Sequence, residues 1–339
     1  MKHVWFAGIA ALAAALSVAS AAHASTVTIS NNNEIRVAES GNENNQIFVA
    51  YSPAPIDAYT VRDFAANLTP SGVCVGVNSS TAICPGAGIT SIEVDTDARA
   101  DVITLDATVP TTVQGDLDGG RDRDIINGGR GKDELRGGNG RDLLDGHEGA
   151  DGIRGGRAAD TLLYTTRTTT LVVTIGSGND NDGNELDFSP GTLRDTVRGD
   201  VEIVLGGTAG DTIIGDNSSE TLSGGDGNDF LIGNGGRDSL LGFGDDDVIF
   251  GGNGNDTLRG SLGIDRMLGG LGDDRLAAGA GDDALWGDPG RDVMKGKTGI
   301  DVIRARDGTR DIKINCGPGN NRREFAKRDK RLDPKRKSC

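Results

Sequence analysis

Residues 206–304 determine the fold, because they divide without insertion into eleven blocks of nine residues: GGTAGDTII, GDNSSETLS, GGDGNDFLI, GNGGRDSLL, GFGDDDVIF, GGNGNDTLR, GSLGIDRML, GGLGDDRLA, AGAGDDALW, GDPGRDVMK and GKTGIDVIR. The sixth residue is Asp in ten blocks and Glu220 in the remaining one. The eighth residue is Ile, Leu or Met in all eleven. A fixed apolar position argues against a low-complexity Gly/Asp linker, which has no reason to keep one.

A shorter array of the same kind occupies residues 119–163. Its five blocks are GGRDRDIIN, GGRGKDELR, GGNGRDLLD, GHEGADGIR and GGRAADTLL, and all have Asp at position six and Ile or Leu at position eight. The chain contains 54 Gly among 339 residues, about twice the usual share of roughly 7%. The Gly and Asp content is therefore periodic, which indicates a repeat architecture.

The nine-residue period predicts a flattened solenoid. Each block consists of a six-residue turn, which needs Gly for backbone angles that other residues avoid, and a three-residue strand. The middle residue of that strand faces inward while its neighbours face outward. Two blocks complete one coil, so blocks two apart stack on the same edge, and residues such as Leu222, Leu231 and Leu240 form a thin interior.

The Asp at position six predicts bound cations. Stacked turns lie about 4.8 Å apart, and two carboxylates at that distance repel by roughly 3–4 kcal/mol at an effective dielectric constant near 20. A cation between the turns would remove this repulsion. Carboxylate and carbonyl oxygens suit Ca²⁺, and His147 is the one His or Cys within the repeats. Metal binding and folding are then expected to be coupled.

These blocks resemble the hemolysin-type calcium-binding repeat, or RTX nonapeptide, G-G-x-G-x-D-x-U-x. The resemblance implies an all-β fold, a right-handed parallel β-roll solenoid in which the Asp carboxylate and backbone carbonyls bind several Ca²⁺ ions. The residues before the roll are expected to form an N-terminal β-rich cap. Carried over by position, the expected ligands are Asp124, Asp133, Asp142, Asp151, Asp160, Asp211, Asp229, Asp238, Asp247, Asp256, Asp265, Asp274, Asp283, Asp292 and Asp301. Glu220 is set aside, because its turn lacks the second and fourth Gly. The best-preserved pair is 251–256 with 269–274.

Residues 1–24 have the layout of a secretory signal peptide. Lys2 and His3 precede an apolar run, and Ala22-His23-Ala24 provides small residues before a cleavage point. No later segment is long and apolar enough to cross a bilayer. Secretion implies an oxidising compartment, where four Cys are expected to form two disulfides. Spacing favours Cys74–Cys84 and Cys316–Cys339, although four Cys allow three pairings.

The remaining segments are less regular. Residues 25–118 are expected to form a β-rich region that starts or caps the roll, and 164–205 a connecting strand followed by an acidic loop. That loop, with Asp180, Asp182, Glu185 and Asp187, is either solvated or a further calcium site. Residues 305–339 are expected to form a C-terminal cap and a basic tail, with nine Lys or Arg against three acidic residues in 321–339. The tail either covers the open end of the roll or binds an anionic cell-wall or surface polymer.

These features predict a secreted, non-enzymatic calcium-binding protein, structural or surface-associated. The net charge of −16 argues against nucleic acid as a partner. An adhesin or matrix protein that binds glycans or cell-wall polymer is the alternative, followed by an enzyme that carries the repeats as a folding module. The sequence has no H-E-x-x-H and no G-x-S-x-G motif. It does not determine the oligomeric state.

Overall fold

The fold is seen in a computed structural model that describes residues 24–29, 33–38, 44–53, 56–63, 67–70, 74–78, 81–176, 195–305, 311–318 and 322–325. Every regular element within these ranges is a β-strand. The predicted all-β class and parallel β-roll are confirmed. The signal segment up to residue 23, the acidic loop 180–187 and the tail beyond 325 lie outside the described residues.

The coil begins upstream of the first Gly/Asp block. The N-terminal strands are β1 Ala24–Ile29, β2 Glu34–Ala38, β3 Gln46–Ser52, β4 Ala58–Asp63, β5 Asn67–Pro70, β6 Val75–Asn78, β7 Thr81–Pro85, β8 Ser91–Asp95, β9 Val102–Leu105 and β10 Gln114–Asp118. On one face β2, β8 and β10 pair in parallel, and on the other β3 pairs in parallel with β9. Antiparallel pairs β1–β2, β3–β4, β4–β7 and β6–β7 surround this start. The predicted disulfide between Cys74 and Cys84 is confirmed.

Short strands, most of them starting right after the residue at position six, continue the roll through both arrays. The first array and the connection contain β11 Ile125–Asn127, β12 Glu134–Asn139, β13 Leu143–Asp145, β14 Gly152–Arg157, β15 Thr161–Leu163, β16 Val172–Thr174, β17 Thr196–Val197 and β18 Ile203–Leu205. The second array contains β19 Thr212–Ile214, β20 Thr221–Gly225, β21 Phe230–Gly236, β22 Ser239–Phe243, β23 Val248–Gly254, β24 Thr257–Leu262, β25 Arg266–Leu271, β26 Arg275–Ala280, β27 Ala284–Trp286, β28 Val293–Thr298 and β29 Val302–Ala305. Beyond it lie β30 Lys313–Asn315 and β31 Arg322–Phe325.

The two arrays belong to one roll. A single fifteen-stranded sheet follows one face from the N-terminal strands to β30, and two eight-stranded sheets follow the other face. At the join, β17 pairs with β14 and β16 pairs with β19, although β16 comes first in the chain. A parallel bridge between Ile175 and Val197 links β16 to β17. β16 therefore stacks one coil further along the roll than β17, although it precedes β17 in the chain. The connecting strand predicted after the first array contains only the three residues of β16 within residues 164–175.

The core of the arrays is one side chain wide. No position-eight residue in either array is more than 1% exposed, as predicted. The N-terminal coil strands β2, β3, β8 and β9 instead bury two apolar residues each, for example Ile35 and Val37 in β2 or Ile47 and Val49 in β3. Burying one such side chain stabilises by about 1.5–3 kcal/mol, whereas ordering each backbone residue costs about 1–2 kcal/mol. The nine-residue coils therefore need stabilising contacts beyond their apolar core.

Candidate metal centre

Carboxylates at position six, together with equivalent carboxylates outside the blocks, run in two columns, one along each edge of the roll, and all but Glu202 are buried. All fifteen predicted ligands lie in these columns, and none is more than 2% exposed. The first carboxylate column comprises Asp133, Asp151, Asp195, Asp211, Asp229, Asp247, Asp265, Asp283 and Asp301. The second carboxylate column comprises Asp101, Asp124, Asp142, Asp160, Glu202, Glu220, Asp238, Asp256, Asp274, Asp292 and Asp311. The roll therefore aligns the carboxylates of both arrays.

Each column is connected by hydrogen bonds from the backbone of one turn to the carboxylate of the next. The N–H of Asp256 donates to Oδ1 of Asp274 at 2.8 Å, and Oδ1 of Asp256 accepts the N–H of Asp238 at 2.9 Å. Asp274 continues the series by donating to Asp292. These bonds hold one oxygen of each carboxylate in place and turn the other toward the interior of the turn.

Five column members were not among the predicted ligands. Asp195 and Glu202 accept the N–H groups of Asp151 and Asp160, as the position-six Asp residues do, although both lie in the connecting segment. Asp101 and Asp311 extend the second carboxylate column at its two ends. Glu220, set aside on its turn sequence, also lies in the column. An acidic residue two positions before an inward-facing Val or Ile, as in Asp195-x-Val197, would have identified three of them.

The second carboxylate oxygens are the main unsatisfied groups of these columns. Within the described residues, buried second oxygens have no hydrogen-bond partner at Asp124, Asp133, Asp142, Asp151, Asp160, Glu220, Asp229, Asp238, Asp247, Asp256, Asp265, Asp274 and Asp283. Leaving a buried polar group unpaired costs about 1–3 kcal/mol, and more for a charged group. A repeated array of such oxygens calls for a repeated positively charged partner.

The first residue is Gly in every block except the one that begins at Ala278, and this Gly makes room for that partner. A Cβ on Gly251 would lie 2.4 Å from the carbonyl oxygen of Gly269 and 2.7 Å from Oδ2 of Asp256. A Cβ on Gly233 would likewise lie 2.5 Å from the Gly251 carbonyl oxygen and 2.4 Å from Oδ2 of Asp238. A carbonyl oxygen and an unpaired carboxylate oxygen thus face the same space, which any side chain at position one would fill.

The second and fourth positions of the turn require Gly for a different reason. Gly252 and Gly254 have φ values of 108° and 147°, in the left-handed region that other residues avoid. The second position keeps this conformation even where the residue is not Gly, with φ of 84° at Phe243 and 75° at Lys297. Holding a residue other than Gly in this conformation costs of order 1–3 kcal/mol. The stacked turns therefore impose the left-handed backbone on blocks that lack Gly at the second position.

Burial, more than repulsion, raises the pKa of the column carboxylates. Burial raises the pKa of Asp124 to about 9, of Asp247 to about 8 and of Asp274 to about 7, and neighbouring carboxylates add to the rise. The N–H groups that donate to them lower the pKa and offset part of this effect. The sequence-based explanation, which assigned the need for a cation to mutual repulsion alone, was thus incomplete.

The donor chemistry fits Ca²⁺. Within the described ranges no group of three or more His, Cys, Asp or Glu side chains converges, so backbone carbonyls must supply part of any ion's coordination. Carboxylate and carbonyl oxygens are the ligands that Ca²⁺ takes, six to eight at a time. The position-six carboxylates of stacked turns and the carbonyls of the Gly-rich turns would hold the ion, and the ion would neutralise the unpaired oxygens.

We predict opposite pH dependences with and without calcium. The folded-state pKa of these carboxylates lies above the unfolded value, so the ion-free fold has its full stability below about pH 4. That stability is lost as the pH rises through about 7 to 9, the range of Asp274 and Asp124. In saturating Ca²⁺ protons compete with the ion, so stability should instead increase over the same range. Thermal unfolding of resin-decalcified and calcium-loaded protein from pH 4 to 9 measures both, and an ion-free Tm that increases with pH would contradict the assignment.

Comparison with known protein families matches the RTX calcium-binding nonapeptide repeat (4 copies) to residues 116–144, 128–162, 196–231, 205–240, 223–258, 259–294 and 286–309. The matches cover nearly all of both arrays and the part of the connection that contains Glu202. No curated protein matches the chain. The matched blocks, the parallel roll and the two carboxylate columns agree, and residues 116–162 and 196–309 contain RTX calcium-binding nonapeptide repeats.

Proposed function

We propose that this is a secreted, non-enzymatic protein whose roll is completed by several Ca²⁺ ions bound between stacked turns, and that its role is structural or surface-associated. The observation that carries the proposal is the run of buried carboxylates whose second oxygen has no hydrogen-bond partner. The proposed ligands are the position-six carboxylates. The pair formed by Asp256 and Asp274, with intact turns at Gly251 and Gly269, is the strongest individual site.

Secretion is supported by the cysteines as well as by the signal-like residues 1–24. Cys74 and Cys84 form a disulfide, and Cys316 is also disulfide-bonded. The partner predicted for Cys316, Cys339, lies outside the described residues. Disulfides persist in oxidising compartments, where calcium is also abundant. Extracellular calcium modules commonly bind with dissociation constants of about 10⁻⁴–10⁻³ M. The protein would then fold after export, when it first meets calcium.

We infer a structural role because the side chains most often used in catalysis are explained here by the fold or by ion binding. His147, the one His among the described residues, occupies the left-handed second position of a turn, and its backbone N–H donates to Asp145 at 2.9 Å. The regular Asp columns are already accounted for by ion binding. Among the described residues no helix has the length and apolarity needed to span a membrane.

Calorimetric titration of the decalcified protein with Ca²⁺ tests the proposal. We expect several ions per chain, because the unpaired oxygens recur at most levels of both columns, with folding and binding in one process. Asp256→Asn should lower the measured stoichiometry by one or two ions. An absence of calcium binding, or equal binding by chains with and without the position-six carboxylates, would refute it.

Surface attachment is the second candidate, and one feature of the roll favours it. On the outer face of the sheet from β19 to β29, one apolar residue per strand lies in register: Ile214, Ile232, Phe250, Leu268 and Trp286. All five are partly exposed, and the Arg304 guanidinium lies 5.2 Å from the Trp286 ring centre. Exposed apolar columns of this kind mark interaction surfaces. Retention of the calcium-loaded protein on insoluble cell-wall polysaccharide would separate an adhesin from a free protein.

A further inference from the structure

The first carboxylate column is interrupted where the two arrays join. The turn that leads into β16 has Leu171 in the place of Asp, and the N–H of Leu171 donates to Oδ1 of Asp211 at 2.9 Å, as a column residue does. Leu171 is 1% exposed. Because β16 pairs with β19 and is bridged to β17 through Ile175 and Val197, this turn without a carboxylate separates Asp195 from Asp211.

The carboxylates on both sides of this interruption differ from the others in the column. Oδ2 of Asp195 accepts the hydroxyl of Tyr164 at 2.6 Å, and Oδ2 of Asp211 accepts the N–H of Gly207 at 2.8 Å. Oδ1 of each is also bonded, to the N–H groups of Asp151 and Leu171 respectively. Here the protein itself supplies a donor to the oxygen that is unpaired at Asp151 or Asp229.

A positive charge is buried at the same place. Arg167 is 6% exposed, and its guanidinium carbon lies 5.5 Å from the centre of the Tyr164 ring. Its carbonyl accepts the N–H of Thr208 at 3.0 Å, which fixes its turn against the turn that contains Gly207. No nitrogen of the guanidinium has a hydrogen-bond partner among the described residues. A buried guanidinium is stable only near compensating negative charge, and Arg167 interacts electrostatically with the column carboxylates Asp151 and Asp195.

We propose that Tyr164 and Arg167 replace a calcium ion at this level, so that the join between the two arrays is held without metal. The hydroxyl satisfies the carboxylate oxygen, and the guanidinium supplies the positive charge that an ion supplies elsewhere. Calcium binding along the first carboxylate column is then divided into two separate runs, and Asp211 is no longer a calcium ligand. The inference rests on the proposed function, since it concerns which turns bind Ca²⁺.

The test compares matched Asp→Asn variants of the full chain. Ions per chain are counted by elemental analysis of folded, gel-filtered protein in saturating Ca²⁺. Asp256→Asn should lose one or two ions, whereas Asp195→Asn should keep the wild-type number. If Asp195→Asn loses as many ions as Asp256→Asn, the inference is wrong while the proposed function stands. If the wild type itself binds no calcium, the proposed function fails first.

The charge of Arg167 is tested by how stability depends on calcium. The slope of Tm against the logarithm of free Ca²⁺ reports the number of ions bound on folding. Arg167→Met and Tyr164→Phe should lower Tm by several degrees at every calcium concentration and leave this slope unchanged. Asp256→Asn should decrease the slope, and the exposed Arg259→Met should change neither. A lower slope in Arg167→Met would overturn the proposal, because it would show that an ion is lost with the guanidinium.

Discussion

Removal of calcium is expected to unfold both nonapeptide arrays and to spare the N-terminal coils. In the arrays each coil buries one apolar side chain per strand, and most of the column carboxylates are desolvated without a counter-charge. Desolvation of an uncompensated charge costs several kcal/mol, which a core this thin does not offset. Upstream, strands such as β8 and β9 bury two apolar residues each, Ile92 with Val94 and Ile103 with Leu105, and the Cys74–Cys84 disulfide constrains the region.

Circular dichroism and limited proteolysis measure this difference. In excess chelator near pH 8 we expect most of the strand signal to be lost and a protease-resistant fragment that ends near residue 118 to remain. Re-addition of Ca²⁺ should restore the full signal, and Mg²⁺ at the same concentration should not, because it requires tighter octahedral geometry. An unchanged spectrum and an intact chain after complete calcium removal would show that the carboxylate columns need no ion.

Gly254→Ala should be among the most destabilising single substitutions in the second array. Gly254 has φ of 147°, and a Cβ there would lie 1.5 Å from the carbonyl oxygen of Gly236 in the stacked turn. No side-chain rotation relieves a clash between a Cβ and a backbone oxygen, so the two turns must separate and the Asp256 site between neighbouring turns must distort. We expect a loss of roughly 3 kcal/mol or more, the range in which strain and disrupted packing combine.

Gly244→Ala is the matched control. Gly244 occupies the third position of its turn, its φ is outside the left-handed region, and a Cβ there would meet nothing closer than 3.4 Å. Its stability should stay within about 0.5 kcal/mol of wild type. Thermal unfolding in saturating Ca²⁺ compares the two. Equal stability of both variants would mean that the turns are not stacked closely enough for a Cβ at position 254 to clash with the Gly236 carbonyl oxygen.

The sequence predicted the parts of the roll in which a given position of the repeat always has the same type of side chain for the same physical reason. Position eight must be apolar because it alone fills the core, and position six must be acidic because it faces the turn interior, so both were identified block by block. The N-terminal coils have no such signature. They bury Ile47 and Val49 by ordinary strand alternation, which does not distinguish a coil of the roll from any other β-sheet.

The connection between the arrays was less predictable for a topological reason. Asp195 and Glu202 join the columns through irregular spacing, and the placement of β16 ahead of β17 depends on contacts between coils, which local sequence does not encode. The left-handed backbone at Phe243 and Lys297 is also imposed by the turns stacked on either side. Sequence reasoning would expect Gly at such positions.

The interchange of β16 and β17 also bears on alignment errors during folding. Blocks of near-identical pattern can stack one coil out of step at little energetic penalty, since Leu222 and Leu258 fit each other's places. At the join the coils are no longer equivalent. Val197 bridges Ile175, which lies two residues after the Val173 that stacks on Ile213. The hydrogen bond from Tyr164 to Asp195 forms in only one alignment of the coils. The join is the segment whose contacts differ from those of every repeat. A misaligned roll would lose these contacts, so the join favours the correct alignment of both arrays.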